Sequence, residues 1–265
     1  KNADSLFKVN GYDVNEKKNT SIYSKNIISS GMRGSGNHTL SINNALNACT
    51  NNRSFYCLSM YDDVNLRNEV SKFSIKHNRG LCDINSQDTL EGSLQAGGLN
   101  IISTSFDVSY LDKVDKLVNS LTTILEIEQK YTGDATIIVL DIDSFKTISQ
   151  NAKLSKLVER ISSSRVLFWI IESGLSTSPE PYECLGKYSF KHAIFRNYEV
   201  DELLVTTGYL SKKSSSEILT LEIGEAIFFS QTNFIEHTSK KTTKAERLIE
   251  LEFNPLADLE QDIKR

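Results

Sequence analysis

The sequence lacks the features that would place it in a membrane, a disulfide-bonded scaffold or a zinc-binding family. No apolar run approaches the roughly 20 residues that span a bilayer. The cysteines include no C-x-x-C pair, which argues against a zinc site and a disulfide framework. They are Cys49, Cys57, Cys82 and Cys184. We therefore expect no membrane insertion, and free thiols in the reducing environment of the cytoplasm.

An excess of positive charge is also missing. The chain carries 30 Lys and Arg against 34 Asp and Glu, for a formal net charge of −4. A protein that binds nucleic acid on its own normally shows a basic patch or stripe. The lysine pairs at 17–18, 212–213 and 240–241 are more typical of solvated faces than of such a stripe. The net charge therefore does not indicate DNA as a partner. Any contact with DNA would be local.

The N-terminus lacks the pattern of a secretion signal. The chain begins with Lys1 rather than Met, and residues 1–18 contain neither a basic start nor an apolar stretch. We expect it to be a piece of a longer protein. With 265 residues, 24% of them charged and 39% hydrophobic, it has the size and composition of one sizeable domain. The predicted division is an N-terminal extension (1–20), one domain (21–237) and a charged, helical C-terminal tail (238–265).

Apolar segments and amphipathic segments alternate along most of the chain. Residues 135–141 and 165–171 are continuous apolar runs typical of strands covered on both faces. Residues 111–125 carry apolar side chains at the helical i, i+3, i+4, i+7 spacing, with Ser109 as a start signal. Further strands are predicted at 21–28, 54–59, 99–105, 192–196 and 225–229, and further helices at 40–49, 65–73, 154–161, 202–205, 211–219 and 245–251. This alternation predicts an α/β fold with a mostly parallel central sheet and helices on both faces.

A glycine-rich loop joins the first predicted strand to the first predicted helix. In P-loop proteins such a loop reads G-x-x-x-x-G-K-[ST], and its backbone N–H groups cradle phosphates at a helix N-terminus. Here Gly31 and Gly36 stand at the two glycine positions, while Asn37 replaces the lysine and His38 the Ser/Thr. We predict a nucleotide-phosphate site made by Gly31, Gly34, Gly36, Asn37, His38 and Thr39. The alternative interpretation is an ordinary turn with three glycines.

A metal-binding aspartate is predicted at the end of a later strand. Asp141 ends an apolar run, as the Walker B aspartate of P-loop ATPases does, and would hold Mg²⁺ together with Thr39. The alternative is an aspartate that caps a turn at a strand end. ATPases of this kind often place a glutamate directly after that aspartate, to orient the attacking water. This chain has Ile142 there, so Asp143 becomes the candidate for that catalytic role.

The absent lysine has an energetic consequence. A hydrogen bond to a charged group is worth roughly 1.5–3 kcal/mol, or about one to two powers of ten in affinity. Phosphate binding would then depend on the backbone amides, whereas hydrolysis requires the charge on the transferred phosphoryl group to be neutralised. Arg33, within the loop, is the side chain that could supply replacement charge.

Two further residues are candidates for catalysis. Glu172 follows an apolar strand, at the place where motor ATPases keep a polar residue that senses the γ-phosphate. Its alternative interpretation is a carboxylate at the rim of the site. Arg196 ends a later strand and would face a neighbouring subunit as an arginine finger. Its alternative interpretation is a salt-bridged surface residue.

The motifs and their order resemble the RecA-like motor domains of the FtsK/HerA group, which includes conjugative coupling proteins and type IV secretion ATPases. The resemblance is carried by residues 31–39, 136–141, 166–173 and 190–229, the last of which contains an L-x-x-G-E-A strand. It implies a cytoplasmic, ring-forming and usually hexameric translocator of DNA or protein that uses ATP and Mg²⁺. Its partners would be protein subunits of a larger assembly, which could hold it at the inner face of the membrane.

Departures from the family pattern at Asn37, His38 and Ile142 lead to the preferred hypothesis. It is a domain that keeps the fold, binds ATP or ADP weakly or not at all, hydrolyses ATP weakly or not at all, and serves assembly within a secretion, conjugation or DNA-translocation apparatus. The second hypothesis is an active motor with a non-standard phosphate-binding loop. The third is an unrelated α/β protein with a chance glycine turn.

Overall fold

The computed structural model describes residues 6–49, 53–84, 92–104, 107–131, 135–177, 182, 190–230 and 247–251. Cys184 lies outside these residues. The described strands are β1 (Phe7–Asp13), β2 (Lys18–Ser24), β3 (Asn26–Ser30), β4 (Phe55–Ser59), β5 (Leu81–Ile84), β6 (Leu99–Ser103), β7 (Ile137–Ile142), β8 (Leu167–Glu172), β9 (Lys191–Ile194), β10 (Glu225–Ser230) and β11 (Arg247–Leu251). The described helices are α1 (Asn37–Asn47), α2 (Val64–His77), α3 (Tyr110–Lys130), α4 (Lys146–Gln150), α5 (Ala152–Ser163), α6 (Glu202–Thr206) and α7 (Lys212–Ile218).

All the described strands belong to one sheet, in the order β2-β1-β11-β10-β9-β3-β8-β7-β4-β6-β5. The neighbouring pairs from β9 to β5 are parallel. The pairs from β9 to β2 are antiparallel. The predicted α/β fold with a mostly parallel central sheet is therefore confirmed.

Helices cover both faces of the parallel part of the sheet. On β7, Ile138 and Leu140 belong to one core cluster with the apolar side chains of α3 and α5. Ile137 and Val139 belong to the other cluster, with those of α1 and α2. Because successive side chains of a strand point to opposite faces, a strand covered on both sides must be apolar throughout. This explains the continuous apolar run that predicted a central strand.

The longest described helix begins where its sequence predicts. The hydroxyl group of Ser109 accepts a hydrogen bond from the backbone N–H of Asp112 (3.2 Å), as an N-cap residue does. The apolar stripe of α3 packs on the sheet, and its other positions are largely polar. No helix in the described part of the chain is long and apolar enough to cross a bilayer.

The predicted strand at 21–28 is two strands in the structure. β2 pairs antiparallel with β1, whereas β3 lies between β8 and β9 in the parallel part of the sheet. Lys25 lies at the break between β2 and β3. Its Nζ donates hydrogen bonds to the carbonyl oxygens of Ser162 (2.7 Å) and Ser164 at the end of α5. The short elements β5 and α4 were not predicted, because few residues in either form a periodic apolar pattern.

The predicted helix at 245–251 is wrong, since Arg247–Leu251 forms strand β11 between β10 and β1. Ile249 and Leu251 are buried while Glu250 between them is exposed, which is the two-residue period of a strand. β1 lies in the predicted N-terminal extension and β11 in the predicted tail, so both segments contribute strands to the sheet. The boundaries of the predicted domain remain predictions.

Candidate functional site

The candidate site is a cleft of about 510 Å³ at the carboxyl ends of the parallel strands. Most of the loop at 32–39 lines it, together with the β4–α2 connection at 61–65, Asp141 of β7, Ser173 after β8, and Ile223. Open α/β sheets bind their ligands at this edge. A groove of equal volume lies against β1, β2 and β11, but none of the predicted site residues lines it.

The glycines of the loop are required by its backbone. Gly34 and Gly36 have φ angles of 82° and 90°, in the left-handed region that side chains disfavour. A Cβ on Gly31 would lie 2.6 Å from the Cβ of Phe195, which is closer than real contacts allow. Gly36 is also the residue that precedes the first turn of α1. The predicted glycine positions therefore have a structural cause in this chain.

The side chain of Asn37 is turned away from the cleft that its residue borders. Its Nδ2 donates to the carbonyl oxygen of Glu172 (2.9 Å), and its Oδ1 accepts from the hydroxyl group of Ser41 (3.2 Å). Asn37 is only 1% exposed. Its amide thus joins the end of β8 to the first turn of α1, so the residue at the lysine position bonds to protein groups beneath the loop.

His38 stands directly opposite the predicted metal-binding aspartate. Its Nε2 lies 3.0 Å from Oδ1 of Asp141, and the hydroxyl group of Ser173 lies 3.4 Å from the same nitrogen. The other carboxylate oxygen of Asp141 accepts from the hydroxyl group of Ser59 (2.7 Å). Burial of the imidazole disfavours its charged form, but the attraction of Asp141 outweighs this and raises the pKa of His38 above its ordinary value.

A second aspartate, which the sequence reasoning missed, completes a cluster with this pair. Asp63 is the N-cap of α2, and its Oδ1 accepts from the backbone N–H groups of Asn65 (2.8 Å) and Leu66 (3.3 Å). One ligand atom from each of His38, Asp63 and Asp141 lies within 4.8 Å of the other two. The available signal was the acidic pair Asp62-Asp63 three residues after the end of strand β4, because that strand ends at the same edge of the sheet as β7.

Thr39 and Asp143 have different relations to the cleft. Thr39 is half-buried and lines it, one residue after His38. Asp143 does not line the cleft. Its carboxylate is hydrogen-bonded to Tyr61, which does line the cleft. Burial and this carboxylate raise the pKa of the Tyr61 hydroxyl group. The catalytic role predicted for Asp143 remains a prediction.

Glu172 lies in the core and does not line the cleft. Its carboxylate accepts from the hydroxyl groups of Ser30 (2.7 Å), Ser176 (2.9 Å) and Tyr182 (2.7 Å) and from the backbone N–H of Phe145 (2.8 Å). Burial raises the pKa of Glu172, although these hydrogen bonds oppose the shift. With 1% exposure it is not a carboxylate at the rim, so that alternative is wrong. A catalytic role for it stays a prediction.

Arg196 lies beside the glycine loop, on the β9 side. Its carbonyl oxygen accepts from the backbone N–H of Met32 (3.0 Å). Its Nε has no hydrogen-bond partner among the described residues, and no ion pair of Arg196 is found there. The role of arginine finger remains a prediction.

Six of the predicted site residues meet at the cleft or shape its loop. They are Gly31, Gly34, Gly36, His38, Thr39 and Asp141. Two others form hydrogen bonds within the protein instead: the side chain of Asn37 and the carboxylate of Glu172. Arg196 lies to one side of the loop.

Comparison with known structures identifies the fold. No protein-family model matches this sequence, and no curated protein matches it. VirB4 of Thermoanaerobacter pseudethanolicus superposes with a TM-score of 0.62 at 11% identity, over 93% of this chain and 96% of that structure. The chain has a RecA-like P-loop fold. At this identity the likeness concerns the fold alone, and it disfavours the hypothesis of an unrelated α/β protein.

Two other structures are similar to this chain. The cytoplasmic domain of the type VII secretion ATPase EccC of Thermomonospora curvata has a TM-score of 0.50 and 11% identity over 94% of this chain, which spans 26% of that structure. The genome packaging NTPase B204 of Sulfolobus turreted icosahedral virus 2 has a TM-score of 0.51 and 13% identity over 84% of this chain and 98% of that one. B204 was solved with ATP-gammaS, with AMP and with sulfate.

Proposed function

We propose that this chain is a subunit of a protein- or DNA-translocation apparatus that binds nucleotide weakly and hydrolyses ATP slowly or not at all. It would contribute to the assembly of the apparatus and would not generate the force for translocation. The observation that carries this proposal is the set of contacts made by Asn37 and His38, which replace the lysine and the Ser/Thr of the P-loop motif.

Weak phosphate binding is supported by the backbone of the loop. Gly34 and Gly36 adopt left-handed conformations, and the 11-residue helix α1 begins directly after them. The first N–H groups of a helix have no partner within it and attract anions. Arg33 is exposed and lines the same cleft, so it adds positive charge near those groups.

The residues fit Mg²⁺ less well than they fit phosphate. Mg²⁺ prefers oxygen ligands, but an imidazole stands at the position of the usual hydroxyl group. Bound ATP would supply the transferable phosphoryl group, and Mg²⁺ would neutralise part of its charge. The protein would contribute only the loop backbone, Arg33 and Thr39 to orient it.

Impaired hydrolysis follows from the electrostatics of the site. A P-loop lysine neutralises charge that develops on the transferred group, and this stabilisation is most of what such proteins contribute to catalysis. The neutral amide of Asn37 cannot do so, and its hydrogen bonds to Glu172 and Ser41 hold it beneath the loop. Slow or absent turnover is the expected consequence.

The proposed place in a translocation apparatus is supported by the descriptions of the similar structures. EccC is a type VII secretion ATPase and B204 a genome packaging NTPase. For this chain we propose a cytoplasmic location and protein subunits as partners, including further copies in a ring. Contact with the inner face of the membrane would then come through those partners.

A second candidate function is an active motor with a non-standard loop. One observation favours it: Arg33 is exposed, belongs to the loop and lines the cleft. A guanidinium group presents up to five N–H donors to phosphate oxygens and keeps its charge at any physiological pH. In this reading Arg33 takes over the electrostatic role of the missing lysine.

Titration with fluorescent ATP and ADP in the presence of Mg²⁺ tests the proposal. The control is Gly36→Glu, which puts a side chain and a negative charge at a residue of φ 90° in the loop. We expect weak binding that Gly36→Glu abolishes, and phosphate release no faster than in Asp141→Ala. Turnover by the unchanged protein that Asp141→Ala abolishes would refute the assembly role and establish the motor. Absence of binding at millimolar nucleotide would refute the phosphate site.

A further inference from the structure

We infer that His38, Asp63 and Asp141 form a binding site for a first-row transition-metal ion such as Zn²⁺. Three separate elements supply these residues: the first turn of α1, the N-cap of α2 and strand β7. The site goes beyond the proposed function, because it needs no nucleotide and its preferred ion differs from Mg²⁺.

The ligand atoms are already close enough to share an ion. One atom from each residue lies within 4.8 Å of the other two, and His38 Nε2 is 3.0 Å from Asp141 Oδ1. Ligands about 2.0–2.2 Å from a Zn²⁺ ion lie somewhat closer to one another than 4.8 Å. Small rotations of His38 and Asp63, whose side chains are half-buried, would therefore complete the coordination.

The imidazole determines which ion fits. Zn²⁺ and the neighbouring transition metals bind nitrogen and carboxylate oxygen together, whereas Mg²⁺ selects oxygen alone and gives up its water reluctantly. The residue at the Ser/Thr position of the loop thus changes the ligand set from all-oxygen to one nitrogen and two carboxylates. Two negative carboxylates also balance the charge of a divalent ion.

The surrounding groups orient the ligands. The hydroxyl group of Ser59 holds one oxygen of Asp141 (2.7 Å), which leaves the other directed at His38. Two backbone N–H groups of α2 hold Oδ1 of Asp63. Such outer hydrogen bonds fix the geometry of ligating carboxylates in metalloproteins. The cleft borders all three ligands, so water can enter and fill the remaining positions of the ion.

Metal titration of the chelator-treated protein, without nucleotide, tests the inference. We expect one equivalent of Zn²⁺ or Co²⁺ to bind, with millimolar Mg²⁺ failing to displace it. Binding should weaken at least about tenfold in His38→Asn and in Asp63→Asn, since the first removes the imidazole nitrogen and the second the negative charge of a carboxylate. Asn is also a good N-cap, so Asp63→Asn keeps the start of α2. The matched control is His77→Asn, on the exposed end of α2, which should bind like the unchanged protein.

The thermal unfolding midpoint gives a second readout. Zn²⁺ should raise it for the unchanged protein and for His77→Asn, and leave it unchanged for His38→Asn. Binding that His38→Asn or Asp63→Asn leaves intact, or no binding, would overturn the inference and reduce the cluster to a hydrogen-bonded ion pair. Because nucleotide is absent, either result leaves the nucleotide titration to be judged separately.

Discussion

Replacing Asn37 by lysine restores the missing residue of the phosphate-binding loop. A lysine should not occupy the buried space beneath the loop as the neutral amide does, since removing its charged ammonium group from water is costly. It should therefore leave the buried position for the cleft, where the phosphates of a nucleotide would bind. A hydrogen bond to a charged group contributes roughly 1.5–3 kcal/mol, so we expect nucleotide affinity to rise about 10- to 100-fold.

The same change has a cost in stability that can be judged from the hydrogen bonds it breaks. Asn37 contacts the carbonyl oxygen of Glu172 and the hydroxyl group of Ser41. Both keep a second partner: the carbonyl oxygen accepts from Gly31 N–H (3.3 Å), and the Ser41 hydroxyl group pairs with that of Ser29 (2.8 Å). Neither is left unsatisfied, so the loss should lie near the lower end of about 1–3 kcal/mol.

Fluorescent ATP titrations with Mg²⁺ measure the affinity, and chemical unfolding measures the stability. Asn47→Lys is the matched control, because Asn47 is exposed at the other end of α1 and the change of charge is identical. An unchanged affinity in Asn37→Lys, or an equal rise in Asn47→Lys, would refute the reasoning. An unchanged affinity would mean that the loop does not bind phosphate. An equal rise in Asn47→Lys would mean that the added net charge, and not its place in the loop, raises the affinity.

Three further predictions concern the core and the site. Ile249→Ala should lower the free energy of unfolding by about 2–5 kcal/mol, because Ile249 is 1% exposed in β11. The control Glu250→Ala should change that free energy by less than about 0.5 kcal/mol. Equal effects of the two changes in chemical unfolding would contradict the packing of β11. Burial raises the pKa of Glu172, so the folded protein holds this proton more tightly than the unfolded chain; stability should be full below the ordinary pKa of glutamate and fall as the pH rises through the folded value. Unfolding measured across pH should lose that slope in Glu172→Gln, and an unaltered slope would assign it to another group. Ser59→Ala should weaken Zn²⁺ binding about 10- to 100-fold in calorimetry by releasing Asp141, and an unchanged affinity would show that Ser59 does not orient it.

Elements with a strong local pattern could be predicted from the sequence. The apolar runs that form β7 and β8, and the capped, periodic segment that forms α3, are confirmed with shifts of a few residues at their ends. The glycine loop between β3 and α1 was predicted from its glycines and their spacing.

Segments with a weak local pattern were predicted wrongly where contacts with distant parts of the chain decide their structure. The three apolar residues of Arg247–Leu251 fit a helix or a strand, and only β10 and β1 on either side make it a strand. The break at Lys25 depends on carbonyl oxygens at the end of α5, more than a hundred residues away. Glu172 looked like a site residue because it follows an apolar strand, but the last side chain of a strand can point into the core.

The sequence by itself determined the apolar central strands, the capped helix and the glycine loop, because these depend on side chains within a few positions of one another. Only the tertiary structure decided that the Asn37 amide lies beneath the loop and that Asp63 joins His38 and Asp141. Those contacts depend on which strand ends lie side by side at the carboxyl edge of the sheet. Residues far apart in the chain meet there because β3, β8, β7 and β4 are neighbours.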